Sequence, residues 1–103
     1  MTGSFIVEPS EDEIRRERAK ARALRMTRWW RQKLVQGVCH YCGRRFLPEQ
    51  LTMDHIVPII RGGKTTKNNV ATVCKECNNN KKYLLPMEWD EYMKGFKREN
   101  KTR

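Results

Sequence analysis

The four cysteines constrain this chain more than any other feature. They come as two pairs, Cys39–Cys42 and Cys74–Cys77, each with two residues between the thiols, and 31 residues separate the pairs. Two intervening residues turn the backbone so that both sulfurs of a pair face one side. Two such knuckles offer four thiolates in a tetrahedron, the donor set of a closed structural zinc site. A Zn2+ held there would pin the intervening segment at both ends. In small zinc peptides that binding energy, on the order of 10 kcal/mol, is folding energy. Disulfides or free thiols are the competing reading of the same cysteines. His40 lies inside the first knuckle, but four thiolates already fill the shell, so it is expected to be a bystander.

A chain of 103 residues, 38% hydrophobic and 33% charged, has use for such a constraint. One domain is expected, with a small apolar core and a thin stability margin. The net charge of +10 favours a polyanionic partner. Nucleic acid is the commonest of these, and an anionic membrane surface is the competitor. No run of about 18 apolar residues is present, so no transmembrane helix is expected. The N-terminus, "MTGSFIVEPSEDE", has neither the basic n-region nor the apolar h-region of a signal peptide. These features imply a soluble, intracellular, cytoplasmic protein, where paired cysteines are more often metal ligands than disulfides.

Residues 1–9 read as a loose arm in which "SFIV" could pair as a short strand. "SEDE" from Ser10 is a capping-box pattern, with Glu11, Asp12 and Glu13 in the first helical turn, where the dipole favours acids. The helical pattern runs from Glu11 to about Gln36, roughly 39 Å, and stops at Gly37. Ala19, Ala23, Met26, Trp30 and Leu34 form its apolar stripe. "QLTMDHI" reads as a short strand and "VPIIRGGKTTKNN" as a loop. From Asn69 the chain can enter a helix that carries Cys74 and Cys77 and ends near Tyr83. "LPMEWDEYMKGF" permits one more short helix, with Pro86 near its start and Gly95 near its end, seated by Trp89 and Tyr92.

Between the knuckles stand Asp54 and His55, side by side. On a regular strand they would face opposite ways, so sharing one site requires a bend, which a strand end supplies. Taken alone the pair reads as a polar strand end with a hydrogen-bonded histidine. Its surroundings argue otherwise. Asn69 follows fourteen positions later, Asn78 directly follows the last cysteine, and Lys81 lies three beyond, on the same helical face. An acid, a histidine, two amides and a lysine would converge around a zinc-pinned core.

The segment "CHYC … MDHIVPIIRGGKTTKNNV … CKECNNNK" resembles the zinc-containing form of the HNH endonuclease motif. The resemblance spans about Cys39 to Lys81. It implies an α+β chain built on the small ββα-metal fold, a hairpin and a helix around one catalytic divalent ion. It implies a nuclease domain over residues 38–103, with residues 1–37 an arm and basic helix packed on that core. Asp54 and Asn78 would be the ligands of the catalytic Mg2+ or Mn2+. Asn78 stands where some members carry histidine, making this an H-N-N variant. His55 would be the general base, Asn69 would hold the His55 backbone or ring, and Lys81 would contact phosphate. The implied activity is hydrolysis of phosphodiesters in double-stranded DNA, in a bacterial or phage-type setting. The alternative is a zinc-stabilised DNA-binding module without turnover.

Nine basic residues lie between Arg15 and Lys33, and Lys81 and Lys82 follow the motif. With Arg61 and Lys64 they are expected to contact phosphate, which positions a duplex without reading its sequence. A solvated, salt-bridged helix face is the competing reading. Gly62 and Gly63 could admit a phosphate or simply make a turn. Trp30 is expected in the core, while Trp29 is turned away from the stripe.

Overall fold

The computed structural model describes residues 8–101, with side chains over residues 8–95. The strand considered for Ser4–Val7 lies outside the described residues. Helix α1, Glu11–Arg25, begins as the sequence implies: the Ser10 side chain accepts from the Glu13 amide at 3.1 Å, and Glu13 accepts from the Ser10 amide at 2.8 Å.

The single helix expected from Glu11 to Gln36 is two. Helix α2 spans Arg28–Gln36, and the break falls at Met26 and Thr27. Thr27 takes an extended backbone, φ −84° and ψ 155°. Its hydroxyl donates to the Leu24 carbonyl at 2.7 Å and accepts from the Trp30 amide at 3.2 Å. One β-branched hydroxyl residue thus satisfies a carbonyl at the end of one helix and an amide at the start of the next. The break changes the buried face. Ala19 and Ala23 are exposed, and Met26 is 69% exposed; Glu17 and Ala21 are buried instead. Trp30 is in the core as expected, against Ala21, Met53 and Val70, with Leu34 half-buried beside it.

Helix α2 stops at Gly37, whose φ is +71°; a Cβ there would stand 2.7 Å from the Phe46 carbonyl oxygen. The chain then turns through the first knuckle into β1, Leu51–His55. Strand β1 pairs antiparallel with β2, Val70–Cys74, in a register that sets Leu51 opposite Cys74 and His55 opposite Val70. The expected helix from Asn69 therefore begins later: α3 is Lys75–Lys81, and "VATVC" before it is strand. Strand β2 is buried along its whole length. Val70 lies against Trp30, whereas Ala71 and Val73 lie with Cys39, Cys74 and Cys77. Cover on both faces removes the polar alternation that would mark a strand in sequence.

Helix α4, Pro86–Lys101, is 16 residues long and runs through Gly95 rather than ending there. A lone helical glycine costs only about 1 kcal/mol. Trp89, 5% exposed, seats the helix on Tyr41 with ring centroids 5.2 Å apart. Tyr92 stacks on Trp89 but stays 44% exposed. The architecture is α+β: a two-stranded hairpin followed by α3, with α1 and α2 before it and α4 after. No helix among the described residues is long and apolar enough to cross a membrane.

Candidate functional site

The two knuckles meet. The four cysteine sulfurs lie within 4.8 Å of one another, with Cys42 and Cys74 at 4.0 Å. Tetrahedral thiolates around zinc, at about 2.3 Å from the metal, stand roughly 3.8 Å apart, so the cluster has the size to hold such an ion. Each knuckle folds onto its first sulfur: the Cys42 amide donates to Cys39 Sγ at 3.5 Å and the Cys77 amide to Cys74 Sγ at 3.4 Å. Burial raises the Cys42 thiol, but hydrogen bonds from Arg44 outweigh it and bring its pKa to about 7. Burial raises the thiols of Cys74 and Cys77. His40 is exposed and is not one of the clustered ligands.

The end of β1, the turn after it and α3 line an open cavity of about 180 Å³ whose walls include Asp54, His55 and Asn78. Arg18 of α1 and Lys82 also line it, with Pro58 and Ile59 as apolar wall. The expected bend is present: β1 ends at His55, and both members of the Asp54–His55 pair reach the same cavity. Asp54 is 5% exposed. Its Oδ2 accepts from the Tyr41 hydroxyl at 3.0 Å and lies 3.2 Å from Lys81 Nζ. Both contacts fall on one oxygen, and neither falls on Oδ1. Burial, and then the Asp54 charge, push the Tyr41 hydroxyl pKa well above its ordinary value, so it stays a donor.

Two of the residues expected to contact phosphate have partners within the chain. Lys81 is 0% exposed. Its ammonium holds Asp54 Oδ2, donates to the His55 carbonyl at 3.2 Å, and stands 5.8 Å from the Tyr41 ring centre. A buried ammonium facing a buried carboxylate fastens α3 to β1. Lys81→Met is expected to destabilise the fold by about 3–5 kcal/mol, the usual effect of removing one partner of a buried pair. Urea unfolding without added magnesium measures this, and a loss below about 1 kcal/mol would contradict the placement. Arg61 is likewise engaged, with Glu88 at 3.3 Å and the Tyr83 carbonyl at 3.2 Å, tying the turn to α4. Lys64 and Lys82 are exposed.

Asn69 works one step away from its expected place. Its Oδ1 accepts from the Val57 amide at 2.9 Å, and its Nδ2 donates to the Val57 carbonyl at 3.1 Å and the Lys64 carbonyl at 2.8 Å. It clasps the loop after His55 rather than His55 itself. Gly63 serves the same loop, because a Cβ there would overlap the Val57 carbonyl oxygen. The glycine therefore meets backbone, which favours the turn over the phosphate reading. His55 instead meets Thr65, with Nε2 and Oγ1 at 2.9 Å. Burial lowers the His55 pKa; Arg25 and Lys81 lower it further, while Asp54 and Glu17 oppose. These surroundings favour the neutral ring.

Tyr41, Thr65 and Glu17 are not singled out by sequence. Tyr41 sits between two cysteines and Thr65 within a polar loop, and neither position carries a periodic or spacing signal. Glu17 lies in a run of helical charges, most of them exposed.

The geometry can be set beside known proteins. Residues 39–83 match the HNH endonuclease family. That match covers both knuckles, the hairpin and the cavity residues of α3, and it confirms the resemblance carried by the cysteine and Asp-His spacing. The chain is also similar to the CRISPR-associated endonuclease Cas9 of Corynebacterium diphtheriae, 41% identical over 56 residues. Those residues are 50% of this chain and 5% of that protein. Both matches support a nuclease-type function for the HNH segment. Helix α1, which brings Arg18 and Glu17 to the site, lies outside the family match.

Proposed function

We propose that this chain is a metal-dependent HNH endonuclease that hydrolyses phosphodiester bonds of double-stranded DNA. The observation that carries the reading is the joint presence of Asp54, His55 and Asn78 on one small cavity edged by Arg18 and Lys82. A carboxylate with one oxygen outside its protein contacts and an amide oxygen are donors suited to a hard divalent ion. Asp54 and Asn78 would hold that ion, Mg2+ or Mn2+, which when bound supplies charge neutralisation at the scissile phosphate and the leaving oxygen. The chain's own residues do the rest. Tyr41 and Lys81 grip Asp54 by Oδ2 and fix its orientation. His55, neutral at working pH, takes the proton of the attacking water. Products would carry 5′-phosphate and 3′-hydroxyl ends.

The four cysteines would hold a structural Zn2+, kept apart from the second ion by its preference for sulfur. Residues 38–103 would form the nuclease domain in an intracellular setting, with residues 1–37 packed on it and adding Arg18 to its cavity. Cleavage of defined duplexes across a series of divalent ions, with the product ends mapped, tests this reading. Cuts with 5′-phosphate ends that need an added hard cation are expected. Metal-independent cutting, or tight binding with no cutting under any ion, would contradict it.

Arg18 and Lys82, which edge the cavity, would meet DNA near the reacting phosphate. Replacing both with alanine is expected to weaken binding and to reduce the slope of log affinity against log salt by about 2, one unit for each phosphate left without its cation. Fluorescence anisotropy on a duplex measures it, and an unchanged slope would remove these two residues from the interface.

A further inference from the structure

Glu17 is the odd residue of α1. It is 5% exposed in a helix whose other described charges face water or its edge. Its carboxylate reaches across to the loop after β1 and accepts from the Thr65 amide at 2.6 Å. Its backbone carbonyl accepts from the Thr65 hydroxyl at 2.9 Å. Glu17 therefore grips Thr65 twice, across 48 positions of sequence. The same Thr65 oxygen lies 2.9 Å from His55 Nε2.

These contacts settle a question about the imidazole. A threonine hydroxyl has one proton to donate, and a backbone carbonyl can only accept. The bond to the Glu17 carbonyl uses that proton. Toward His55 the Thr65 oxygen can then only accept, so Nε2 must carry the hydrogen. A neutral imidazole with Nε2 protonated has its lone pair on Nδ1, and the hydrogen bond at one ring nitrogen determines the role of the other.

We propose that Glu17 and Thr65 are positioning residues that hold His55 in the Nε2–H form and leave Nδ1 as its basic nitrogen. The inference deepens the reading of His55 as general base and rests on it for its catalytic consequence. It assigns to α1 a part of the site that residues 39–83 do not contain: the Glu17 backbone carbonyl gives the Thr65 hydroxyl its direction, and the Glu17 carboxylate holds the Thr65 amide in reach of it. A threonine free to turn could donate to Nε2 instead and move the ring proton to the other nitrogen, the wrong one for a base working through Nδ1.

The test uses the full zinc-loaded chain labelled with 15N. Long-range correlation spectra report which imidazole nitrogen bears the proton, and the only other histidine, His40, is assigned with His40→Gln. The Nε2–H pattern is expected for His55 in wild type and in Thr65→Ser, which keeps the hydroxyl. Thr65→Val, of nearly the same shape, is expected to mix in the Nδ1–H pattern; Glu17→Ala, which keeps the backbone carbonyl and loses only the carboxylate's hold on the Thr65 amide, is expected to do so to a smaller extent. Their kcat on duplex DNA is expected to fall roughly 10–100-fold, the usual effect of removing a group that orients a functional histidine, with KM unchanged and Thr65→Ser restoring it. An Nε2–H pattern that persists in Thr65→Val with wild-type kcat would overturn the proposal. A wild type without cleavage would count against the general-base reading alone, because the spectra still decide the tautomer.

Discussion

Replacing Cys74 with serine is expected to unfold most of the chain rather than weaken it locally. Cys74 sits at three joints at once. Its sulfur belongs to the four-cysteine cluster, its Sγ caps α3 by accepting from the Cys77 amide, and its backbone closes the hairpin opposite Leu51. The buried set around it is small, chiefly Cys39, Leu51, Ala71, Val73 and Cys77. Binding of zinc to four thiolates contributes on the order of 10 kcal/mol in small domains, and native proteins have only about 5–15 kcal/mol of net stability. Losing a ligand should therefore remove the margin. Thermal melting followed by circular dichroism, with zinc content measured on the same samples, reads the effect. The serine variant should show no cooperative transition and less than stoichiometric zinc, and a strong chelator should do the same to wild type. A variant that melts within a few degrees of wild type would mean that the hydrophobic contacts hold the fold by themselves.

The parts of the fold that are legible in the sequence are those where a local rule and the tertiary structure agree. Ser10 and Glu13 form the capping box that their spacing implies, and Gly37 ends α2 in a left-handed conformation. Cys39, Cys42, Cys74 and Cys77 meet as their spacing implies, because each knuckle is a local turn and the hairpin brings the two together. The illegible parts are those where a single side chain or a buried face overrides the periodic pattern. A helical register carried through Thr27 puts Met26 in the core; the hydroxyl breaks the helix there, and Met26 is left in solvent. Strand β2 resembles the start of a helix in sequence, because burial on both faces erases its alternation.

The site divides in a similar way. Asp54, His55 and Asn78 can be named from order and spacing, and all three line the cavity. Lys81 does share a face of α3 with Asn78, but a helical spacing cannot say whether that face meets water or protein. The hairpin covers it, so its charge is matched by Asp54 rather than by a ligand. Thr65 and Glu17 are invisible in sequence because their partnership joins residues 48 apart through backbone groups, which no side-chain pattern records.

His55→Ala is expected to reduce DNA cleavage more than any other single substitution that leaves the fold intact. The ring is half-buried, so its removal leaves a small void, and its carbonyl bond to Lys81 belongs to the backbone and survives. What disappears is the neutral imidazole on the cavity, and general-base catalysis of this kind contributes about 10²–10⁴-fold. Binding should change little, because Arg18 and Lys82, the cations proposed to meet phosphate, are left in place. The direct measurement is conversion of supercoiled plasmid by wild type and His55→Ala, side by side, in Mg2+ and in Mn2+ at equal zinc content. Cleavage by wild type with a loss of at least about 100-fold in the variant, at unchanged DNA affinity, is the predicted result. Equal cleavage by both proteins, or by neither, would contradict a hydrolytic site built on Asp54, His55 and Asn78.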